Sequence, residues 1–448
     1  MNRSNRRVRP PIAQPLAEPL HIEHMADGGQ GVAHIDGKLC FVDGALAGET
    51  VRAAFVRRHS TYDEAVTQAV LEASPQRVSP PCPAYAHCGG CVLQHQDHAA
   101  QVQDKQTQLA QKLERIGGVQ PTTWLEPVLG PTWNYRRRAR LGVRQVTKRG
   151  NVVMVGFRER RSSFLADMHD CAVLDTRLSA LIGPLRTLIG SLSVAAQIPQ
   201  LEVTVTDDEV LLVMRHLVPL TDADRAALVA FGAAHRLRWF LQPAGPDTVH
   251  PLPPGGDRLP TYRLEGFELE LEFGPLDFTQ VNFAVNQQLV PLAVDLLAPL
   301  PGERVADLFC GVGNFSLALA RRGARVLGLE GDAALVARAR GNAKRAGLAH
   351  SCTFDQANLY DDAHAAVERI GHCDAWLLDP PRSGAQALCA ALPKPAPARI
   401  VYVSCNPATL ARDAGLLAGH GYRLAQAGIV DMFPHTAHVE SIALFERT

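Results

Sequence analysis

Asp307-Leu308-Phe309-Cys310-Gly311-Val312-Gly313-Asn314 decides the fold. It closes the short apolar run Arg304–Phe309 and opens a helical stretch, and its glycines let backbone approach a ligand closely. Outward from it, Arg325–Glu330, Cys352–Phe354, Ala375–Asp379 and Arg399–Cys405 read as short apolar strands with helical segments between them. Two more strand-like runs follow, near Arg423–Val430 and Val439–Phe445. Such alternation predicts a doubly wound, mostly parallel sheet. Ligands of these sheets bind outside the carboxyl ends of the strands, which sets Phe309–Asn314, Glu330, Asp379 and Cys405 around one crevice. Glu330 ends the second strand, where a carboxylate can take both hydroxyls of a ribose. Phe315 stands where a dinucleotide fingerprint would carry its third glycine, which weakens a nicotinamide reading.

The motif Asp-x-Phe-x-Gly-x-Gly with an acid ending the second strand resembles motif I of class I S-adenosylmethionine-dependent methyltransferases. Asp379-Pro380-Pro381-Arg382 resembles the Asp/Asn-Pro-Pro motif that such enzymes place at the end of the fourth strand. Ser404-Cys405-Asn406-Pro407 then puts a thiol on the same sheet edge. A thiol has a chemical purpose there if the methyl acceptor is carbon 5 of a pyrimidine. That carbon is not nucleophilic until a thiolate has added to carbon 6. A base must afterwards remove the carbon 5 proton so that the thiolate can leave. Cys405 and Glu440 are the candidates, with His435 and His438 competing for the role of base.

The 448 residues exceed one ordinary core, so two or three domains are expected. Residues 14–74 alternate short strands with tight turns and read as a small β-barrel; Asp36-Gly37 between two alternating runs predicts a hairpin. Residues 75–275 read as an α+β middle domain with hairpins at 201–213 and 262–273 and helices near 177–192 and 222–235. Within it, 94–125 is expected to pack on the catalytic domain, with a polar helix ended by Gly117-Gly118. Residues 276–448 form the α/β domain.

Net charge is zero, which argues against a uniformly basic nucleic-acid binder. Between Asn134 and Arg161, however, ten cations face one anion, Glu159, a stripe that could neutralise phosphates. The arm before Pro10 adds four arginines and is expected to be disordered. No apolar run approaches a membrane span and no secretory signal is visible, so a cytoplasmic protein is expected. Ten cysteines in such a chain do not suggest a disulfide framework. Cys82, Cys88 and Cys91 supply three thiolates on one Gly- and Pro-rich loop and need a fourth ligand from elsewhere; spacing alone fits zinc or a cubane cluster equally.

Asp307–Asn314, Asp379–Arg382, Val403–Pro407 and His438-x-Glu440-Ser441 together resemble the RNA (uracil-5-)-methyltransferase family over nearly the whole chain. The resemblance implies a class I, Rossmann-like catalytic domain, S-adenosylmethionine as methyl donor, Cys405 as nucleophile and Glu440 as base. It assigns cofactor contacts to Phe309, Asn314, Glu330 and Asp379. It adds Gln280, from Asp277-Phe278-Thr279-Gln280-Val281-Asn282, and Asn358. It also implies that the N-terminal barrel is an OB-like TRAM domain that binds RNA. Cys82, Cys88, Cys91 and Cys171 match the [4Fe–4S] ligands of the family's 23S ribosomal RNA branch, which makes 23S ribosomal RNA the expected substrate and partner and a monomer the expected state. Ala437 departs from the glycine common in relatives. The target uracil is expected to leave its stack, with Phe278 a stacking candidate. Three other readings stand beside this one: action on transfer RNA, an inactive RNA-binding protein on the same fold, and DNA cytosine methylation. The last is disfavoured because Asp379–Arg382 carries no cysteine.

Overall fold

The computed structural model describes residues 14–253, 258–360 and 363–448; the arginine-rich arm before Pro10 lies outside them. The alternation that follows Pro301 folds into an eight-stranded sheet. Its long strands are β1 (Arg304–Leu308), β2 (Arg325–Glu330), β3 (Cys352–Gln356), β4 (Ala375–Leu378), β5 (Arg399–Ser404), β6 (Tyr422–Val430) and β7 (Glu440–Arg447). They lie in the order β3-β2-β1-β4-β5-β7-β6, and the short strand Thr123–Trp124 extends the edge at β6. β1 to β5 are parallel. β7 runs antiparallel to both neighbours. Every residue of β4 is buried, as both-face coverage demands of a parallel strand. The order reverses between β1 and β4, and this switch point is where a ligand crevice opens.

The helix Phe283–Leu297 lies just before this sheet in the chain. Its Val285, Leu289, Val290 and Val294 join Val305, Leu377 and Val401 in one core. Asn282 caps it by accepting from the Val285 N–H at 3.3 Å. Strand–helix rhythm does not reveal this helix, because it precedes the first strand and carries Pro291 in its interior.

Contacts divide the chain into two compact units. One contains the chain through Asp104, with Gly156–Met168 and Pro434–Ala437; the other contains Lys105–Val155, His169–Phe433 and His438–Thr448. The first unit holds a seven-stranded sheet over a small core that includes Ile22, Cys40, Val42, Val51 and Ala65. Its hairpin turns at Asp36 and Gly37, both at positive φ, the backbone an Asp-Gly turn supplies. Glu49 is fully buried there. Burial alone would raise its pKa; the Arg77 guanidinium at 2.5 Å and the Leu46 and Ser74 N–H groups hold it below the usual carboxylate value.

The second unit holds the catalytic sheet, the two-stranded hairpin Thr261–Leu264/Leu269–Glu272 and a six-stranded sheet built around Gln200–Val205 and Val210–Arg215. The turn Leu113–Gly117 packs on the helix Pro407–Gly419, where Gly117 passes so close that a Cβ would lie 2.5 Å from the Ala411 carbonyl oxygen. Lys105 is anchored in the same unit. Its Nζ donates to Asp431 Oδ1 at 2.7 Å and to the Phe433 carbonyl at 3.0 Å, and both side chains are buried. Lys105→Ala should therefore cost about 3–5 kcal/mol in urea unfolding, because the buried Asp431 loses its cationic partner. The double variant Lys105→Met/Asp431→Leu should recover most of that loss.

The arginine stripe is less free than its composition suggests. Arg137 pairs with Asp207 at 2.6 Å, Arg140 with Glu202 at 2.7 Å and Arg161 with Asp43 at 2.6 Å. Arg136, Arg138 and Arg160 donate to backbone carbonyls. Arg144, Lys148 and Arg158 remain as exposed cations without side-chain partners among the described residues. Three carboxylates distant in sequence, Asp43, Glu202 and Asp207, thus offset about a third of the +9 stripe. Among the described residues, no helix is long and apolar enough to cross a membrane.

Candidate active site

A cavity of about 950 Å³ opens at the carboxyl ends of β1 to β5. All eight residues assigned to catalysis or cofactor contact line it: Gln280, Phe309, Asn314, Glu330, Asn358, Asp379, Cys405 and Glu440. Each reaches it through local structure. Phe309 sits at φ +70°, a left-handed conformation that a bulky residue rarely adopts. Its N–H and that of Cys310 donate to the Leu329 carbonyl, which locks the turn against β2. Gly311 and Gly313 continue it at φ +55° and +96°. The Gly311 N–H donates to Glu330 Oε2 at 3.1 Å, and the Gly331 and Asp332 N–H groups donate to Oε1. Glu330 is therefore held as a fixed acceptor pair at the end of β2, the arrangement a ribose diol requires.

Asn314 is aimed by residues no motif announces. Tyr262 Oη donates to its Oδ1 at 3.0 Å, and Asn286 exchanges amide hydrogen bonds with it at 3.2 Å. Tyr360 adds an aromatic wall, its ring 5.4 Å from that of Phe309. Beneath the turn Asp307 is buried and takes the Ser316 hydroxyl; burial pushes its pKa up to about 7. Phe278 also lines the cavity and is 68% exposed.

The other end of the cavity carries the chemistry. Ser404 pairs with Ser441 in the β5–β7 register. Cys405 and Glu440 stand next to that last pair, one on each strand, and both line the cavity. Asn406 caps the helix Pro407–Gly419 by accepting from the Ala408 N–H, so Cys405 stands just before a helix N-terminus. The Asn406 amide also donates to the Arg382 carbonyl at 3.0 Å, tying the thiol's loop to the Asp-Pro-Pro-Arg loop. Arg382 donates in turn to His438 Nδ1 at 3.3 Å.

Burial pushes Glu440 up to about 7, with Arg382 opposing. Asp379 is pushed well above the carboxylate range by burial, then by Glu440 and Asp307. Cys405 rises to about 11 through burial, then Glu440 and Asp379, with Arg382 opposing. The site thus pairs a buried carboxyl that titrates near neutrality with a thiol held protonated. A cationic ligand would favour the thiolate, as the helix N-terminus does. His438 lines the cavity, but burial lowers its pKa, followed by Arg382, Lys105 and Arg136. His435 does not line it. It is buried in the other unit, where Gln101 Nε2 donates to its Nδ1 at 3.2 Å, so its candidacy as base falls to a packing role.

The upstream thiols divide between the units. Cys82, Cys88 and Cys91 lie in the first, Cys171 in the second. Cys88, Cys91 and Cys171 are buried and Cys82 partly so. The donor type suits an iron–sulfur cluster or zinc. Among the described residues, however, no three His, Cys, Asp or Glu side chains are gathered to hold a metal.

This geometry has relatives. The 23S rRNA (uracil(1939)-C(5))-methyltransferase RlmD of Aromatoleum aromaticum is 49% identical over 428 residues, 95% of this chain and 99% of that protein. The enzyme of the same name from Thiobacillus denitrificans is 51% identical over 97% of this chain and all of that one. The chain belongs to the RNA (uracil-5-)-methyltransferase family. Within that family it aligns end to end with RlmD proteins. The tRNA (Uracil-5-)-methyltransferase family matches at residues 260–352 and 364–448, the part that carries the cavity's motifs. Among solved structures, Pyrococcus abyssi tRNA (uracil-54, C5)-methyltransferase in complex with S-adenosyl-L-homocysteine superposes with a TM-score of 0.73 at 25% identity, over 95% of this chain and all of that one. The class I methyltransferase architecture is therefore shared within the family across ribosomal and transfer RNA enzymes.

Proposed function

We propose that this enzyme transfers a methyl group from S-adenosylmethionine to carbon 5 of one uridine of 23S ribosomal RNA, the uridine that its RlmD relatives are named for. The observation that supports the mechanism is that Cys405 and Glu440, each adjacent to the last β5–β7 pair, line the same cavity, with Glu440 the strongest charge acting on the thiol. Gln280, Phe309, Asn314, Glu330, Asn358 and Asp379 hold the cofactor, with Glu330 taking the ribose hydroxyls. When bound, S-adenosylmethionine supplies an electrophilic methyl group and a positive charge. The Cys405 thiolate adds to carbon 6 of the extruded uracil, and the electron pair so released makes carbon 5 the nucleophile that takes the methyl. Glu440 then accepts the carbon 5 proton, the double bond re-forms and the thiolate leaves. The net change is one methyl gained by uracil and one proton released.

Glu440 works only once deprotonated. Its pKa is raised to about 7, so turnover should climb as pH rises through about 7, where an ordinary glutamate base would already be saturated. Single-turnover rates between pH 5.5 and 8.5 measure this. A profile flat above pH 5.5 would remove Glu440 from the rate-limiting step.

Residues 14–74 act in this reading as a TRAM-type RNA-binding barrel, and Cys82, Cys88, Cys91 and Cys171 are the thiols that would hold a [4Fe–4S] cluster, whose role would be structural. The Gly90 N–H, which donates to Cys88 Sγ at 3.4 Å, and Arg160, bonded to the Cys88 and Cys91 carbonyls, would offset thiolate charge there. The protein works as a cytoplasmic monomer. The deciding experiment offers labelled S-adenosylmethionine with unmodified 23S ribosomal RNA and, in parallel, unmodified transfer RNA. The expected product is one 5-methyluridine in the ribosomal RNA. Methylation of transfer RNA instead would keep the chemistry and overturn the substrate. No methylation of either, with cofactor bound, would favour an RNA-binding protein without this activity.

A further inference from the structure

A second cavity lies wholly within the unit that does not hold the methyl-transfer site. It measures about 390 Å³. That is more than ten times the ~30 Å³ a water molecule occupies in the liquid, so a simple ion would leave most of it empty. It is also too small for a helix, whose diameter with side chains is about 10–12 Å. A single small organic unit fits.

Its walls combine three chemistries. Five of the thirteen lining residues are glycines, in the pairs Gly28-Gly29 and Gly89-Gly90 and at Gly44, so much of the surface is bare backbone. Gly29 and Gly44 need φ values of +79° and +77°, and a Cβ on Gly29 would lie 3.1 Å from Leu93. Phe157 and Val92 supply an aromatic and an aliphatic face. Gln30 and Glu159 bring an amide and a carboxylate that can read donors and acceptors on a flat heterocycle.

The arginines separate by commitment. Arg161 is spent on Asp43 at 2.6 Å. Arg160 donates to the Cys88 and Cys91 carbonyls at 3.0 and 2.6 Å and stacks over Tyr85, its guanidinium carbon 4.4 Å from the ring centroid. Both are structural. Arg158 is different: its carbonyl accepts from the Gly89 N–H at 2.8 Å, while its guanidinium is exposed and has no partner among the described residues. One unpartnered cation beside an aromatic face and a bare-backbone wall is the set a nucleotide requires: phosphate on the arginine, base against the ring, base edge against amide, carboxylate and backbone.

We infer that this cavity receives one unstacked nucleotide of the substrate RNA, other than the uridine that is methylated. The inference rests on the proposed RNA methyltransferase activity and adds a second base-holding point to it. Such a point would fix the strand's register at the cost of one more unstacked base, and would favour a flexible loop over a duplex.

The test uses full-length protein, its metal site loaded, with a 23S ribosomal RNA fragment that spans the methylated uridine. Ultraviolet cross-linking with peptide sequencing should join one nucleotide outside the target to the peptide containing Phe157 or to that containing Gln30. Replacing that nucleotide by an abasic residue should raise KM about tenfold, the size of one lost base stack. Arg158→Ala should raise KM and reduce the salt slope of RNA binding by about one, Arg158→Lys should restore the slope, and Gln30→Trp, which fills the cavity, should reproduce the abasic penalty. Combining Gln30→Trp with the abasic RNA should cost no more than either alone. Cross-links confined to the methyl-transfer unit, or full additivity of Gln30→Trp and the abasic RNA, would overturn the inference. Protection of the cavity by free nucleoside monophosphate, with abasic RNA bound normally, would overturn it in favour of a small-molecule site. Loss of the activity reading looks different: no fragment is methylated at all, whatever happens to these cross-links.

Discussion

Cys405→Ala is expected to lower methyl transfer to RNA by about 10⁴-fold or more while cofactor binding stays at the wild-type level. The size follows from the acceptor. Carbon 5 of uracil becomes nucleophilic only after carbon 6 has been attacked, and within the cavity Cys405 is the thiol on β5, three strands from the Glu330 clamp and under the influence of Glu440. The other cysteine lining the cavity, Cys310, belongs to the motif-I turn, is buried and has its pKa pushed well above the thiol range by burial, then Asp307 and Glu330. It cannot substitute. The substitution is also gentle. The loop is held by Ser404 and Asn406, whose hydrogen bonds to neighbouring backbone and to the Arg382 carbonyl do not involve the thiol. Folding and cofactor affinity should therefore survive, and calorimetric titration of S-adenosylmethionine separates a lost nucleophile from a lost site. Turnover within tenfold of wild type would rule out covalent catalysis through this residue.

Much of the catalytic sheet was legible because burial on both faces leaves a plain record. A strand covered by helices must be apolar throughout, so Ala375–Leu378 and Arg399–Ser404 announce themselves, and their ends fall within a residue or two of where composition changes. The cofactor turn was legible for another reason: φ values of +55° and +96° favour glycine, and glycine is visible in a sequence. What stayed hidden depends on partners from elsewhere. Tyr262 and Asn286, which aim Asn314, lie 52 and 28 residues away and belong to a hairpin and a helix with no motif of their own. The partial pairing of the charge stripe was hidden because the carboxylates that offset part of it, Asp43, Glu202 and Asp207, come from distant strands and turns. His435 and His438 looked alike three residues apart, yet one packs against Gln101 and the other lines the cavity beside Arg382.

Glu440→Gln should move two observables in opposite directions. Overall turnover should fall by about 10²–10⁴-fold, the usual contribution of a positioned base, because an amide cannot take the carbon 5 proton. The reactivity of Cys405 should rise. After burial itself, Glu440 is the largest influence holding that thiol up at about 11, and the neutral isostere removes its charge while leaving Arg382 in place. The pH midpoint for Cys405 alkylation should therefore move down, toward the ordinary thiol value. With addition eased and proton removal blocked, RNA should accumulate on the protein as a methylated covalent adduct, visible as a band that survives denaturing electrophoresis and disappears in the Cys405→Ala/Glu440→Gln double variant. Glutamine preserves the shape of the buried side chain, so the β5–β7 register should hold. If turnover fell without an adduct and the alkylation midpoint stayed near 11, Glu440 would be acting before addition. If turnover did not fall, the proton would have to leave by another group, and His438, bonded to Arg382 in the same cavity, is the residue to replace next.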